Sequence, residues 1–210
     1  LIGVIDDLIL EQSLENLAGG ALKVPTAHVS VNCEAQDLKD PDYALRVISA
    51  LHKYGVDPTS LTVEVTESAL LQIGDEVLAN VVSLQSVGVK LAVDDFGTGY
   101  SSLSQIRNLK ADILKIDRSF VSEMIGDDEA ANIVETIITL AHGLDMIVIA
   151  EGIETREQAE KLRRLGCDRG QGYLFGRPTP VAEPVRPSTE ADISQVPRQR
   201  EHIDLPRVTD

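Results

Sequence analysis

The sequence predicts an α/β fold built on a parallel sheet, and three observations carry that expectation. Short β-branched runs alternate with amphipathic helical segments about six times from residue 28 onward, the rhythm of βα units. Carboxylates and their companions recur at one place in each unit, the carboxyl end of the strand or the loop after it. At 210 residues and 43% hydrophobic content, the chain is long enough for one sizeable core.

In order along the chain, Val4, Leu8, Leu14 and Leu17 first suggest a helix. A strand over 28–32 follows, and Asp40 with Pro41 caps and opens a helix whose buried face carries Ala44, Val47, Ile48 and Leu51, with Gly55 as its stop. The second strand, 61–65, sets Leu61, Val63 and Val65 on one face and Thr62, Glu64 and Thr66 on the other. Its helix covers 75–87 and stops at Gly88. A third strand over 89–94 enters the loop Phe96-Gly97-Thr98-Gly99-Tyr100, with a helix over 101–109 beyond it. The fourth strand is 113–116. A long helix over 128–142 places Ile133, Val134, Ile137, Ile138 and Ala141 on its buried side. The fifth strand is 147–150, Thr155 and Gln158 have the spacing of a capping box for a helix to Leu165, and the last strand lies within 168–174. Residues 1–178 are read as one domain. Residues 179–210, with five prolines and no sustained apolar period, are read as a disordered tail or linker.

Six strands in about 178 residues fall short of an eight-stranded barrel, which takes about 250, while an open doubly wound sheet would need no more. Strand count leaves the two architectures open.

A net charge of -15 with no clustered Lys and Arg excludes a sequence-independent duplex binder. Cys33 and Cys167 lack the spacing of a zinc site or a disulfide framework, and a reducing, cytoplasmic setting is the simpler reading. No apolar run approaches the roughly 20 residues of a membrane span. An upstream anchor is left open, because the chain begins at Leu1.

The candidate site collects Asn32, Glu64 with Glu67, Asp94 with Asp95, Lys115 with Asp117, Glu151 with Glu154, and Gln171. Taken singly, each has a plain structural explanation. Asn32 could cap a loop, Glu64 and Glu67 could be solvated strand-end charges, Lys115 could pair with Asp117, and Glu151 could be a helix-start acid. Asp94 and Asp95 are less ordinary, because adjacent carboxylates after a buried run repel unless a cation or donors compensate. As a set, several carboxylates and one Asn carbonyl suit Mg²⁺ or Mn²⁺ and not zinc. Two such ions can hold a phosphodiester and activate water. Chemistry alone points to metal-assisted hydrolysis without naming a substrate.

Five motifs occur in order: Glu64-Val-Thr-Glu67, the ten-residue block Asp94-Asp-Phe-Gly-Thr-Gly-Tyr-Ser-Ser-Leu103, Lys115-Ile-Asp117, Glu151-Gly-Ile-Glu154 and Gln171-Gly-Tyr-Leu-Phe-Gly-Arg-Pro178. In order and spacing they resemble the signatures of EAL domains. The resemblance implies a TIM-type (β/α)₈ barrel that hydrolyses cyclic di-GMP to linear pGpG with two Mg²⁺ or Mn²⁺ ions. It implies metal ligation by Asn32, Glu64, Asp94 and Glu151, with Asp95 and Asp117 serving a second ion. Lys115 would orient or help activate the attacking water, and Glu151 has a competing role as general base. Gln171 and Glu154 would lie at the substrate. Glu67 would anchor the loop after Asp95, and that loop, with Phe96, Gly97, Thr98 and Gly99, is linked in the family to dimerisation and control.

Two departures accompany the resemblance. The Glu-Ala-Leu strand and its following arginine, which normally precede a helix like that over 5–17, are absent, so the first strands of the barrel are expected to lie upstream of Leu1. Asn32-Cys33-Glu34 also replaces the usual Asn-x-Ser. Without those strands, residues 1–178 are accordingly expected to be poorly stable or inactive. Expected partners are cyclic di-GMP, a second copy in a homodimer, and upstream sensory or GGDEF domains. The alternative function is a non-catalytic cyclic di-GMP receptor or interaction module.

Overall fold

A computed structural model describes residues 2–19, 27–70, 74–97, 103–179 and 190–191. Its strands are β1 (Val29–Cys33), β2 (Leu61–Thr66), β3 (Lys90–Phe96), β4 (Ile113–Ile116), β5 (Ile147–Ala150), β6 (Arg169–Gln171) and β7 (Glu190–Ala191). The helices are α1 (Ile2–Ala18), α2 (Ala35–Leu38), α3 (Tyr43–Tyr54), α4 (Glu67–Leu70), α5 (Asp75–Ser86), α6 (Leu103–Leu109), α7 (Arg118–Glu123), α8 (Asp128–His142) and α9 (Arg156–Leu165). Strands β1 to β6 pair in sequence order and all in parallel, curling as half a barrel. The short β7 adds antiparallel to β6, matching Gly170 with Ala191 and Gln171 with Glu190.

The two faces of this sheet have different jobs. Side chains alternate along a strand, and one set, including Val31, Val63, Val65, Leu91, Val93, Leu114, Ile116, Val148 and Ala150, merges with the helices into the main core. The other set begins with a small apolar floor of Ala92, Ile113 and Ile149. Two residues further along the same face come Asp94, Lys115 and Glu151. Thus the period of two that fills the core also lifts three ionisable groups onto one end of the opposite face.

Helix ends follow local chemistry closely. Gly55 and Gly166 close α3 and α9 in the left-handed region at φ 65° and 88°, and Asp127 caps α8 by accepting from the Glu129 and Ala130 amides. Several expectations need correction. Helix α3 starts at Tyr43 rather than at Pro41, since the Asp40 carboxylate instead accepts from the Asp42 amide at 3.0 Å and ion-pairs with Arg46 at 2.6 Å. Ile133 is 42% exposed, with Ala130 and Ala131 taking the inner face of α8 in its place. Leu8 is likewise 62% exposed, while Leu10 and Leu14 are the buried leucines of α1. Strand β3 runs on to Phe96, which is therefore a strand residue and not part of the glycine loop. Helix α7 has no counterpart among the expected elements. In the tail, Glu190–Ala191 forms a strand where none is expected, and 180–189 and 192–210 lie outside the described residues.

Candidate metal and catalytic site

The site is built around Lys115 on β4. Its side chain is only 6% exposed, and Nζ lies 2.7 Å from a Glu64 carboxylate oxygen, 3.1 Å from Asp94 and 2.6 Å from Glu151. The plain reading of Lys115 as Asp117's ion-pair partner is thereby replaced. Strands β2, β3 and β4 carry Glu64, Asp94 and Lys115, and Glu151 follows directly on β5, which is possible because parallel neighbours in sequence order present their carboxyl ends together. Burial pulls the Lys115 ammonium down, but Glu64 and Glu151 outweigh it and hold the group well above the ordinary lysine value. Lys115 is a fixed cation here. Burial pushes the Glu151 carboxyl up, with Lys115 opposing and Asp94 and Glu64 adding to the rise.

Asp95 stands beside this cluster in an unusual backbone conformation, φ 54°, a region in which Asp and Asn are enriched. The pairing of β3 with β4 shifts register between Val93 and Phe96. This kink lets two consecutive carboxylates reach the same end of the sheet, where strict alternation would send them to opposite faces. Asp94 turns one oxygen onto the Asp95 amide at 3.0 Å. Burial, then Asp94, then Asp117 push the Asp95 carboxyl above the usual carboxylate range. Asp117 behaves oppositely. Burial raises it, but bonds from the Ser119 hydroxyl and amide and from the Arg118 amide outweigh that and leave it below its ordinary value. It is the N-cap of α7, accepting from the Ser119 amide at 3.0 Å.

The remaining candidates surround this centre. Asn32 pairs in register with Glu64 but is exposed, and it also lines a cleft of about 200 Å³ with Asp6, Asp37 and Tyr43. Glu67 is 3% exposed, and its carboxylate accepts from the Gly97 amide at 2.8 Å. Gly97 has φ 102°, and a Cβ there would fall 2.6 Å from the Phe120 ring of α7, so glycine is required on both counts. Thr98 and Gly99 lie outside the described residues. Glu154 is exposed, with its amide bound to Gln158. Gln171 is half-buried at the end of β6, and its carbonyl accepts from the Ile153 amide at 3.0 Å. Sequence reasoning missed the whole of α7 and gave Gln158 no role beyond helix capping; a polar residue at the third helical position that is nevertheless buried is the signal for the latter.

The donor set fits a divalent metal. Asp94, Asp95 and Glu151 each present a carboxylate oxygen within 4.8 Å of the others, and two of them, Asp94 and Glu151, already gather around the Lys115 cation. All-oxygen donors of this kind suit Mg²⁺ or Mn²⁺. Cys33 and Cys167 are buried, with thiols pushed up to about 12, so neither offers a thiolate.

Residues 1–178 match the EAL domain family. The chain belongs to this family. The Pseudomonas aeruginosa cyclic di-GMP phosphodiesterase NbdA is 39% identical over 183 residues, covering 87% of this chain and 23% of that protein. The solved structure of PaMucR phosphodiesterase in complex with c-di-GMP superimposes with a TM-score of 0.80 at 37% identity, covering 86% of this chain and 73% of the other. A manganese and cy-diGMP complex of Klebsiella pneumoniae BlrP1 gives 0.73 at 31% identity, with 80% and 44% covered. These EAL neighbours have TIM-barrel-like folds. The chain spans about a fifth of the length of the curated relatives it matches.

Proposed function

We propose that this EAL domain hydrolyses cyclic di-GMP to linear pGpG using two Mg²⁺ or Mn²⁺ ions. The carrying observation is the cluster of half-buried Glu64, Asp94 and Glu151 around the buried Lys115, with Asp95 within reach of the Asp94 and Glu151 oxygens. Support for the substrate comes from relatives and neighbours whose names state cyclic di-GMP phosphodiesterase or a c-di-GMP complex.

Asn32, Glu64, Asp94 and Glu151 are the residues to hold one ion, and Asp95 and Asp117 the second. When bound, the ions supply Lewis-acid activation of water and stabilise the departing oxygen of the phosphodiester. Lys115 donates hydrogen bonds and positive charge at the reacting water. Its strongly favoured ammonium form makes it a poor general base. Glu151 has a role as general base that competes with its role as a metal ligand. Gln171 and Glu154 border the substrate, and Glu67 fixes the start of the control loop through Gly97.

Residues 1–178 as the catalytic domain and 179–210 as an appended tail belong to the same proposal. So do dimer formation, fusion to upstream sensory or GGDEF domains, and a cytoplasmic position. Among the described residues no helix is long and apolar enough to cross a membrane.

Turnover is to be measured in the full-length protein, because a barrel closes only when both sheet edges are paired. The expected result is pGpG formation with Mn²⁺ that stops with EDTA and falls at least about 100-fold in Glu151→Gln. Binding of cyclic di-GMP without turnover in the wild-type protein overturns the enzymatic reading and favours a receptor.

A further inference from the structure

Gln158 makes more hydrogen bonds than a helix cap needs. Thr155 and Gln158 form the reciprocal box at the start of α9, with Thr155 Oγ1 accepting from the Gln158 amide at 3.2 Å and Gln158 Oε1 accepting from the Thr155 amide at 3.0 Å. The same Oε1 also accepts from the Glu154 amide at 2.8 Å. The other end of the amide points away from α9, and Nε2 donates to the Val121 carbonyl of α7 at 3.4 Å. The residue is 8% exposed, so these bonds form out of water, where leaving any of them unmade is costly.

The two segments joined this way both lead to the site. Glu154 ends the loop that opens with Glu151, and α7 is the helix capped by Asp117. A second contact ties the same segments, since a Cβ on Gly152 would fall 2.4 Å from the Arg118 Cβ. On its far side the loop is held by β6 and the turn after it, through the Ile153 amide to the Gln171 carbonyl and the Leu174 amide to the Ile153 carbonyl, both 3.0 Å. The loop therefore has one anchor on the Gln171 side and one on the Asp117 side, and Gln158 is the hydrogen-bonding part of the latter.

We propose that Gln158 is a positioning residue, setting the loop of Glu151 and Glu154 relative to Asp117 and so the spacing between groups assigned to the two ions. This rests on the metal-site reading above. A glutamate at the same place would complete an ordinary capping box but could not donate to Val121, which separates the positioning role from the capping one.

In the full-length protein, Gln158→Ala is expected to lower kcat for cyclic di-GMP about tenfold with KM little changed, and to speed amide exchange at Glu154. Thr155→Ala removes the other half of the box and leaves the acceptor bonds of Gln158 in place. It is expected to lower the melting temperature comparably while holding kcat within about twofold of wild type. Equal losses of kcat in the two variants, or wild-type kcat in Gln158→Ala, overturn the proposal. Should Gln158→Ala not fold, Gln158→Glu carries the test, with the same fall in kcat expected and wild-type kcat overturning it. If the wild-type protein shows no turnover, the reaction reading fails by itself. Amide exchange then judges the positioning role: faster exchange at Glu154 in Gln158→Ala alone upholds it, and equal exchange in both variants overturns it.

Discussion

Three carboxylates and a fourth, Asp95, sit side by side at the carboxyl ends of the strands, and they differ in how closely Lys115 holds them. Glu64, Asp94 and Glu151 share the buried Lys115 ammonium. Asp95, one residue from Asp94, is pushed up by burial and by its acidic neighbours, with Lys115 only a lesser opposing influence. The three are an assembled unit of the metal-free protein, whereas Asp95 feels its acidic neighbours more than it feels Lys115. Asp117 belongs to neither extreme, because backbone and hydroxyl donors at the start of α7 satisfy it.

The strongest way to break this contrast is to remove its cation. Lys115→Met leaves three half-buried carboxylates facing one another, and the cost of losing one partner of a fully buried ion pair, about 3–5 kcal/mol, is an upper bound on the loss. Urea denaturation in EDTA is expected to show that loss, and Mn²⁺ is expected to recover much of it. Similar stability with and without Lys115 in EDTA would mean that the triad does not depend on the ammonium. Asp95→Asn attacks the other side. Asn tolerates the left-handed backbone at this position, and removing the charge is expected to stabilise the metal-free protein while lowering Mn²⁺ affinity. Isothermal titration and thermal melts check both directions.

A pH series sharpens the same point. Burial and acidic neighbours raise the Asp95 and Glu151 carboxyls above their ordinary values in the folded protein. The folded protein thus binds protons more tightly at these groups than the unfolded chain does, so their contribution is fully present below the unfolded values and is lost as pH rises through the raised ones. In EDTA, the gain from Asp95→Asn is expected to be larger at pH 7 than at pH 4, and an equal gain at both counts against a raised Asp95. The smallest effect belongs to Glu67→Gln, which keeps an acceptor for the Gly97 amide but removes its charge, for a stability loss under about 1 kcal/mol. Faster exchange of the Gly97 amide is the expected readout.

Much of this was legible in the sequence because period and punctuation act locally. Strands 113–116 and 147–150 and helix 128–142 fall where apolar spacing and Gly place them. The polar face was legible for the same reason, as Asp94, Lys115 and Glu151 continue the alternation set by Ala92, Ile113 and Ile149. Less accessible was anything decided by partners distant in the chain. Lys115 chose Glu64, Asp94 and Glu151 over the nearby Asp117 because three strands converge on it, which spacing alone does not reveal. Helix α7 has only six residues, too few for a periodic signal, and its start is announced only by Asp117 and Ser119. Leu8 and Ile133 show the converse limit, being apolar residues that fit a helical period yet face outward.

The most direct test follows the water. Full-length protein is incubated with cyclic di-GMP and Mn²⁺ in ¹⁸O-labelled water under single-turnover conditions, and the pGpG is analysed by mass spectrometry. Metal-assisted attack by water at this site gives pGpG with ¹⁸O in its terminal phosphate, no product in EDTA, and greatly slowed product with Glu151→Gln. Unlabelled pGpG, or labelled pGpG formed equally fast in EDTA, contradicts the account.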